Sequence, residues 1–448
     1  MKISVSLFVL VLVANNVAIA AGVNQAELAD IVRKDGKSWG LTANEFMQRY
    51  GKTGFRWTSK THKNSARVAK RGNANLSYMG EPVTESIAMF NDGKLAELIV
   101  SLYNRGDMGE IPKVEFQKKV SIWVSKLDSW TGVRSVDVAS AVQAGGAKKE
   151  SKVWTGASNQ VKLEWSYSVG GRKAGFDFRP EYIKLQIQSS KGDGDYSSRI
   201  QAKRSMEGTV SRRQLKSNVV KDAGGDVFID NIPMVDQGQK GYCAVATLER
   251  IMRYYGREVD QHEMAQVART GTGGGTSMNN MVDALRKMGL SLGCKIIIHK
   301  DLDFKSFERM ISDYNREAKK MGRKQISFAR KGTIDAGKIY SSLEAEPWVA
   351  SKVKKTSDFK KFLMTVKKYV NIGMPVVWTV YTGVLPEKPS FRGRGGHMRM
   401  IIGYNTKTSE IIYSDTWGAG HEKKRISMDH AWTMTDGLYT VEPRRLVY

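Results

Sequence analysis

The C-terminal half of the chain is organised by Ile232-Pro-Met-Val-Asp-Gln237-Gly-Gln-Lys-Gly-Tyr-Cys243-Ala-Val-Ala-Thr-Leu-Glu-Arg-Ile-Met-Arg-Tyr-Tyr-Gly256. A glycine-bearing loop runs into Cys243. Ala244 to Tyr255 then reads as a helix, because Val245, Leu248, Ile251, Met252 and Tyr255 recur on one apolar face. Gly256 supplies the usual C-terminal stop. Cys243 thus lies at a helix start, where free backbone N–H groups and the helix dipole favour thiolate over thiol. Taken alone, such a cysteine is either a nucleophile or a small core residue.

A second stretch speaks to that choice. Gly395-Gly-His397-Met-Arg-Met-Ile-Ile-Gly-Tyr404 and Glu410-Ile-Ile-Tyr-Ser-Asp415-Thr-Trp417-Gly418 read as two strands joined by a five-residue turn, Asn405 to Ser409. If Tyr404 pairs with Glu410, His397 lies opposite Trp417 and Asp415 is its diagonal neighbour on the same face. A carboxylate there would fix the imidazole tautomer and steady imidazolium. A slip of one residue would turn Asp415 to the other face, so this reading depends on the register. Arg392, Arg394 and Arg399 crowd around His397, either as a site for an acidic substrate group or as a solvated rim.

Gln237 six residues before a helix-start cysteine, His397 in a Gly-His-apolar strand and the Asp415-Thr-Trp-Gly run together resemble the papain-like cysteine peptidases. The bacterial branch related to bacteriocin-processing, double-glycine-cleaving enzymes is the most similar, since it carries Asp where papain has Asn. The resemblance spans about residues 226–448 and implies an α+β fold, with Cys at a helix start in an N-terminal helical part and His and Asp on a C-terminal antiparallel sheet. It implies Cys243 as nucleophile, His397 as general base and then acid, Asp415 as its orienting partner, and Gln237 as oxyanion donor with the Cys243 backbone N–H. Trp417 matches the tryptophan that shields the His–Asp pair from water. Tyr242 and Ala244 depart from the papain pattern, which bears on subsite shape. Peptides or proteins are the implied substrates, with no cofactor. The Gly224-Gly225 pair lies where a double-glycine preference would allow self-cleavage.

Working outward, Met1 and Lys2, the apolar run from Ile3 to Ala14, and Ala18-Ile-Ala20 read as a cleavable signal peptide over residues 1–20. No later run of about 18 apolar residues suits a membrane span, so a secreted, periplasmic or cell-envelope protein is expected. Residues 21–188 read as a separate α+β accessory or pro-region. A helical texture covers Asn24 to Tyr50, with a second helix starting at a Thr42 cap. A hairpin turns at Asp92-Gly93, Val114 to Trp130 forms an amphipathic helix, and Val161–Tyr167 and Tyr182–Ile187 alternate as strands. Residues 189–225, rich in Ser, Gly, Lys and Arg, read as a basic flexible linker before the peptidase region at 226–448.

The chain of 448 residues carries 71 Lys+Arg against 45 Asp+Glu, a formal charge of +26. Residues 226–448 hold +12 of it and residues 1–225 hold +14, so the charge is spread rather than gathered into a nucleic-acid-binding tail. An anionic cell-surface polymer is a partner such a charge would suit. Two cysteines exclude a disulfide scaffold, and Cys294 falls in a buried-strand pattern; a Cys243–Cys294 disulfide would contradict catalysis. His62, His262, His299, His421 and His430 show no metal-ligand spacing, and Gly271 to Gly275 lacks the Lys-Ser/Thr of a phosphate loop. Two other functions remain open on sequence: an inactive, basic binding protein, and a thioester-using acyltransferase.

Overall fold

The computed structural model describes residues 26–69, 76–142, 147–170, 176–190, 210–238, 242–257, 259, 294–327, 336–353, 356–389 and 394–443. These fall into two compact units, one built from residues 26–190 and the other from 210–443. The expected signal peptide lies outside the described residues.

In the first unit, Asp92 and Gly93 both take positive φ, 48° and 74°, and close a two-residue turn between β3 (Glu85–Asn91) and β4 (Lys94–Asn104). That backbone matches the right-handed twist of the strands it joins. Around this hairpin lie β1 (Arg56–Trp57), β2 (Ser65–Ala69), β5 (Val136–Val142), β6 (Ala147–Thr155), β7 (Asn159–Val169) and β8 (Phe178–Ser189). They form one antiparallel sheet in the order β1-β2-β3-β4-β8-β7-β6-β5. Helix α1 (Ala43–Tyr50) starts at Thr42 with a capping box to Glu45. Helix α2 (Lys113–Thr131) buries Phe116, Trp123 and Leu127 in the unit's core with Leu98, Val161, Leu163 and Ile183. The helical texture before α1 is corrected: Ala26–Glu27 is a strand and Ala29–Ile31 a single 3₁₀ turn. Leu28, Ile31 and Val32 are buried by tertiary packing rather than as one face of a long helix.

The second unit begins inside the expected linker. Ser211 and Gln214 form a capping box for α3 (Arg212–Ser217), and β9 (Val219–Lys221) pairs with β10 (Asp226–Ile229). The 189–225 segment is therefore not a linker throughout: its last part is folded, because Leu215 is buried and Asn218 donates to the Tyr254 hydroxyl. Residues 191–209 lie outside the described residues. Gly224 and Gly225 occupy the hairpin turn between β9 and β10. There Gly225 N–H donates to Asp222 O, and Gly224 O accepts from Asn405 Nδ2 at 3.1 Å.

Helix α4 (Cys243–Tyr254) follows, then β11 (Cys294–Lys300) and helices α5 (Phe304–Lys320), α6 (Ala336–Ser341), α7 (Ala345–Val353) and α8 (Thr356–Val370). The chain then forms β12 (Val376–Thr382), β13 (Gly395–Asn405), β14 (Glu410–Ser414), β15 (Lys424–Ser427), α9 (Met428–Thr433) and β16 (Thr435–Pro443). The sheet order is β9-β10-β13-β12-β16-β11, with β14 on β13 and β15 on β14. This is the α+β arrangement expected of the region: a helix carrying Cys243 packed on an antiparallel sheet carrying His397. Among the described residues no helix is long and apolar enough to cross a membrane.

Candidate active site

Helix α4 supplies Cys243 at its first position, and Gly256 follows the helix at φ 74°. Every residue from Cys243 to Met252 is buried, so the helix is enclosed all round rather than along one stripe. The charges this encloses have partners. Glu249 pairs with Arg253 at 2.6 Å. Arg250 donates to Pro233 O, Asp415 O and Ser414 Oγ at 2.6–2.7 Å. Thr247 Oγ1 donates to Met398 O at 3.2 Å and ties the helix to β13 beside His397.

Strand β13 supplies His397, and the segment leaving β14 supplies Asp415. The hairpin between them is tighter than expected: Asn405, not Tyr404, pairs with Glu410. The Asn405 side chain causes this, since its Oδ1 accepts from the Lys407 and Thr408 N–H groups and closes a four-residue loop. A bulge at Ile402 then takes up the extra residue, so that Ile401 pairs with Tyr413 and Met400 with Ser414. That is the register required to bring His397 and Asp415 together. Gly403 allows it, because a Cβ there would lie 2.6 Å from Phe228 Cβ on β10.

His397 Nε2 lies 2.5 Å from Asp415 Oδ1, which also accepts from the Thr416 N–H at 3.0 Å. The same imidazole interacts with the Cys243 side chain. Trp417 stacks on the ring with centroids 4.5 Å apart and planes at 17°. Gln237 is buried beside them: its N–H donates to Thr416 O at 2.9 Å, and its Oε1 accepts from Thr416 Oγ1 at 2.5 Å. All four expected site residues are therefore in one place.

The electrostatics follow from this packing. Burial pushes the Cys243 thiol up, but the hydrogen bond and charge of His397, with N–H groups of Met398 and Ala244, outweigh it and bring the pKa below that of an ordinary thiol. Burial alone would lower His397; the charge and hydrogen bond of Asp415, with Cys243, raise it to about 9. Burial would also raise Asp415, yet His397, Arg399 and Lys424 hold it well below the usual carboxylate range. Both shifts favour the charged form, thiolate on Cys243 and imidazolium on His397.

Residues 229–439, just under half of the chain, match the family model described as the Peptidase C39-like family. This region is thus similar to the C39-like cysteine peptidases. No curated protein matches the chain. Among solved structures, xylellain, a cysteine protease from Xylella fastidiosa, is similar at 11% identity and a TM-score of 0.27, over 54% of this chain and 93% of its own.

Several neighbours of this site were not expected. Arg399 is fully buried, not part of a substrate-facing rim, and pairs with Glu387 at 2.6 Å. Its position two residues from His397 in a strand puts it on the same face, which is the signal that could have found it. Thr416, Glu387 and Lys424 carry no comparable local signal. Arg394 is exposed and donates to Ser341 O at 2.6 Å, while Arg392 lies outside the described residues. Cys294 is buried at the start of β11, and no disulfide joins it to Cys243. His262 and Gly271–Gly275 lie outside the described residues. Among the described residues no cluster of His, Cys, Asp and Glu has the arrangement of a metal site.

Proposed function

We propose that the protein is an exported cysteine peptidase that hydrolyses peptide bonds through Cys243, His397 and Asp415. The observation that supports this reading best is the contact of one imidazole with both a helix-start thiol and a buried carboxylate. The Cys243 thiolate attacks the scissile carbonyl carbon, and the carbonyl π pair moves onto oxygen. The Cys243 backbone N–H and the Gln237 amide stabilise that oxyanion. Thr416 sets the amide's orientation: it donates to Oε1, so Nε2 is the end that donates to the oxyanion. Collapse of the intermediate expels the amine, which takes the proton of the His397 imidazolium, and leaves a thioester. Water then attacks the thioester as His397 accepts its proton, releasing the acid and the thiolate and restoring imidazolium. Asp415 keeps the ring oriented throughout, and Trp417 keeps water off the His397–Asp415 bond.

The Met1–Ala20 segment supports export, and protein recovered outside the cytoplasm should begin at Ala21. The activity is tested with iodoacetamide on the intact protein, mapping the label. Cys243 should react much faster than Cys294, and Cys243→Ala should keep the fold and lose peptide-bond cleavage. Equal labelling of the two cysteines would remove the proposal.

A further inference from the structure

Behind the site lies a buried cluster of charges that a peptidase mechanism does not by itself require. Arg399 is 0% exposed, with its guanidinium 4.9 Å from the Trp378 ring centroid and 4.5 Å from that of Tyr413. Glu387 accepts from Nη1 at 2.6 Å and from Nη2 at 3.1 Å. The Tyr413 hydroxyl donates to Glu387 Oε2 at 2.6 Å, which holds the carboxylate in turn. Arg399 Nη1 also reaches Asp415 Oδ2 at 3.5 Å, and Lys424 Nζ lies 3.9 Å from the same oxygen and 3.7 Å from Glu387. Oδ2 thus faces two cations, while Oδ1 serves His397 and the Thr416 N–H.

Enclosing ionised groups in a core costs desolvation energy, and apolar side chains of similar volume often serve stability as well or better. Stability alone is therefore a weak reason for this cluster. Its arrangement supplies another: each partner of Arg399 is independently fixed, and the carboxylate it touches is the one that holds His397.

We infer that Arg399, clamped by Glu387 and assisted by Lys424, is a positioning residue that fixes Asp415 and sets the electrostatic balance behind His397. This rests on the peptidase reading above. The groups facing the His397–Asp415 pair are Cys243 and Arg250 from α4, Tyr413 from β14, Lys424 from β15, Glu387 from the loop after β12 and His421 from the loop after Trp417, while Glu422 from that loop and Asp236 from the loop before α4 act on His421. Arg399 and Glu387 can be neutralised separately without altering the thiol or the imidazole. Removing the Arg399 cation makes imidazolium easier to keep and thiolate harder to form, so the midpoints of Cys243 reactivity move to higher pH. Removing the Glu387 charge leaves Arg399 less compensated and moves them to lower pH.

The test is the pH dependence of Cys243 alkylation by iodoacetamide in the wild type, Arg399→Gln and Glu387→Gln. Midpoints should shift by about half a unit or more, alkaline for the first variant and acid for the second. Folded variants that lose amplitude or melting temperature with unmoved midpoints would overturn the inference. If Arg399→Gln fails to fold, Glu387→Gln decides by itself, since the amide can still accept from Arg399; an unmoved profile there is equally fatal. A wild-type Cys243 no faster than Cys294 would instead remove the peptidase reading and, with it, the role assigned to Arg399.

Discussion

His397 and Trp417 stack nearly face to face, 4.5 Å between centroids, across two strands whose connecting loop is one residue shorter than their pairing requires. Near the loop Asn405 opposes Glu410, a register that, if continued, would turn Asp415 away from His397. The bulge at Ile402 inserts the missing residue before the site is reached. The Asx turn at Asn405 and the bulge therefore act as a pair, and the geometry of the imidazole depends on both.

Gly403, next to the bulge, is the position most exposed to this constraint. Gly403→Ala would drive a methyl group to within 2.6 Å of Phe228 Cβ and Val227 O. Overpacking of that kind should cost about 1–3 kcal/mol, read as a lower denaturation midpoint with an unchanged slope. A variant as stable as wild type would show that β10 and β13 can separate without penalty.

Protonation of His397 should be visible in stability. In the folded protein it titrates at about 9, above the value of about 6.5 for a free imidazole. The fold binds that proton more tightly than the unfolded chain, so the stabilisation is complete below about pH 6.5 and is lost as pH rises through the folded value. In a Cys243→Ala background, where the thiol no longer titrates, melting temperature should decline as pH rises above about 6.5. Adding Asp415→Asn should flatten that decline, because Asp415 is the main group raising the pKa. Asp415 itself acts oppositely: its depressed carboxyl contributes above about pH 3.9, and this is lost as pH falls through its folded value.

The oxyanion role proposed for Gln237 separates from its structural role by kinetics. Gln237→Ala should lower kcat by about 10²–10³ with KM little changed, the signature of a donor used mainly in the transition state. Thr416→Val removes only the hydrogen bond at Oε1 and should cost less, about tenfold. A raised KM with kcat unchanged for Gln237→Ala would mean that it binds substrate rather than the oxyanion.

The Gly224–Gly225 bond should survive in the purified protein. It is held in the β9–β10 turn by the Gly225–Asp222 and Asn405–Gly224 hydrogen bonds, whereas cleavage needs an opened, accessible segment. N-terminal sequencing that finds chains starting at Gly225 would refute this.

What the chain's own order of residues determined is largely local. The apolar spacing from Val245 to Tyr255 and the glycine after it define the helix that begins at Cys243. Alternation and Asp92-Gly93 define strands and a hairpin, and Gln237, His397, Asp415 and Trp417 stand out by their spacing and immediate neighbours. Each of these signals lives within one helix turn or one strand pair, the range over which periodicity is informative. The tertiary structure alone decided the rest. The register at His397 depends on a side chain eight residues away and on a bulge with no sequence mark. The folding of residues 211–225 depends on Leu215 and Asn218 meeting later parts of the chain. Arg399, a surface residue by composition, is enclosed because Glu387, Tyr413 and Lys424 converge on it from three separate segments. Whether a charge faces water or a core is a property of packed neighbours, and those neighbours are set by the fold.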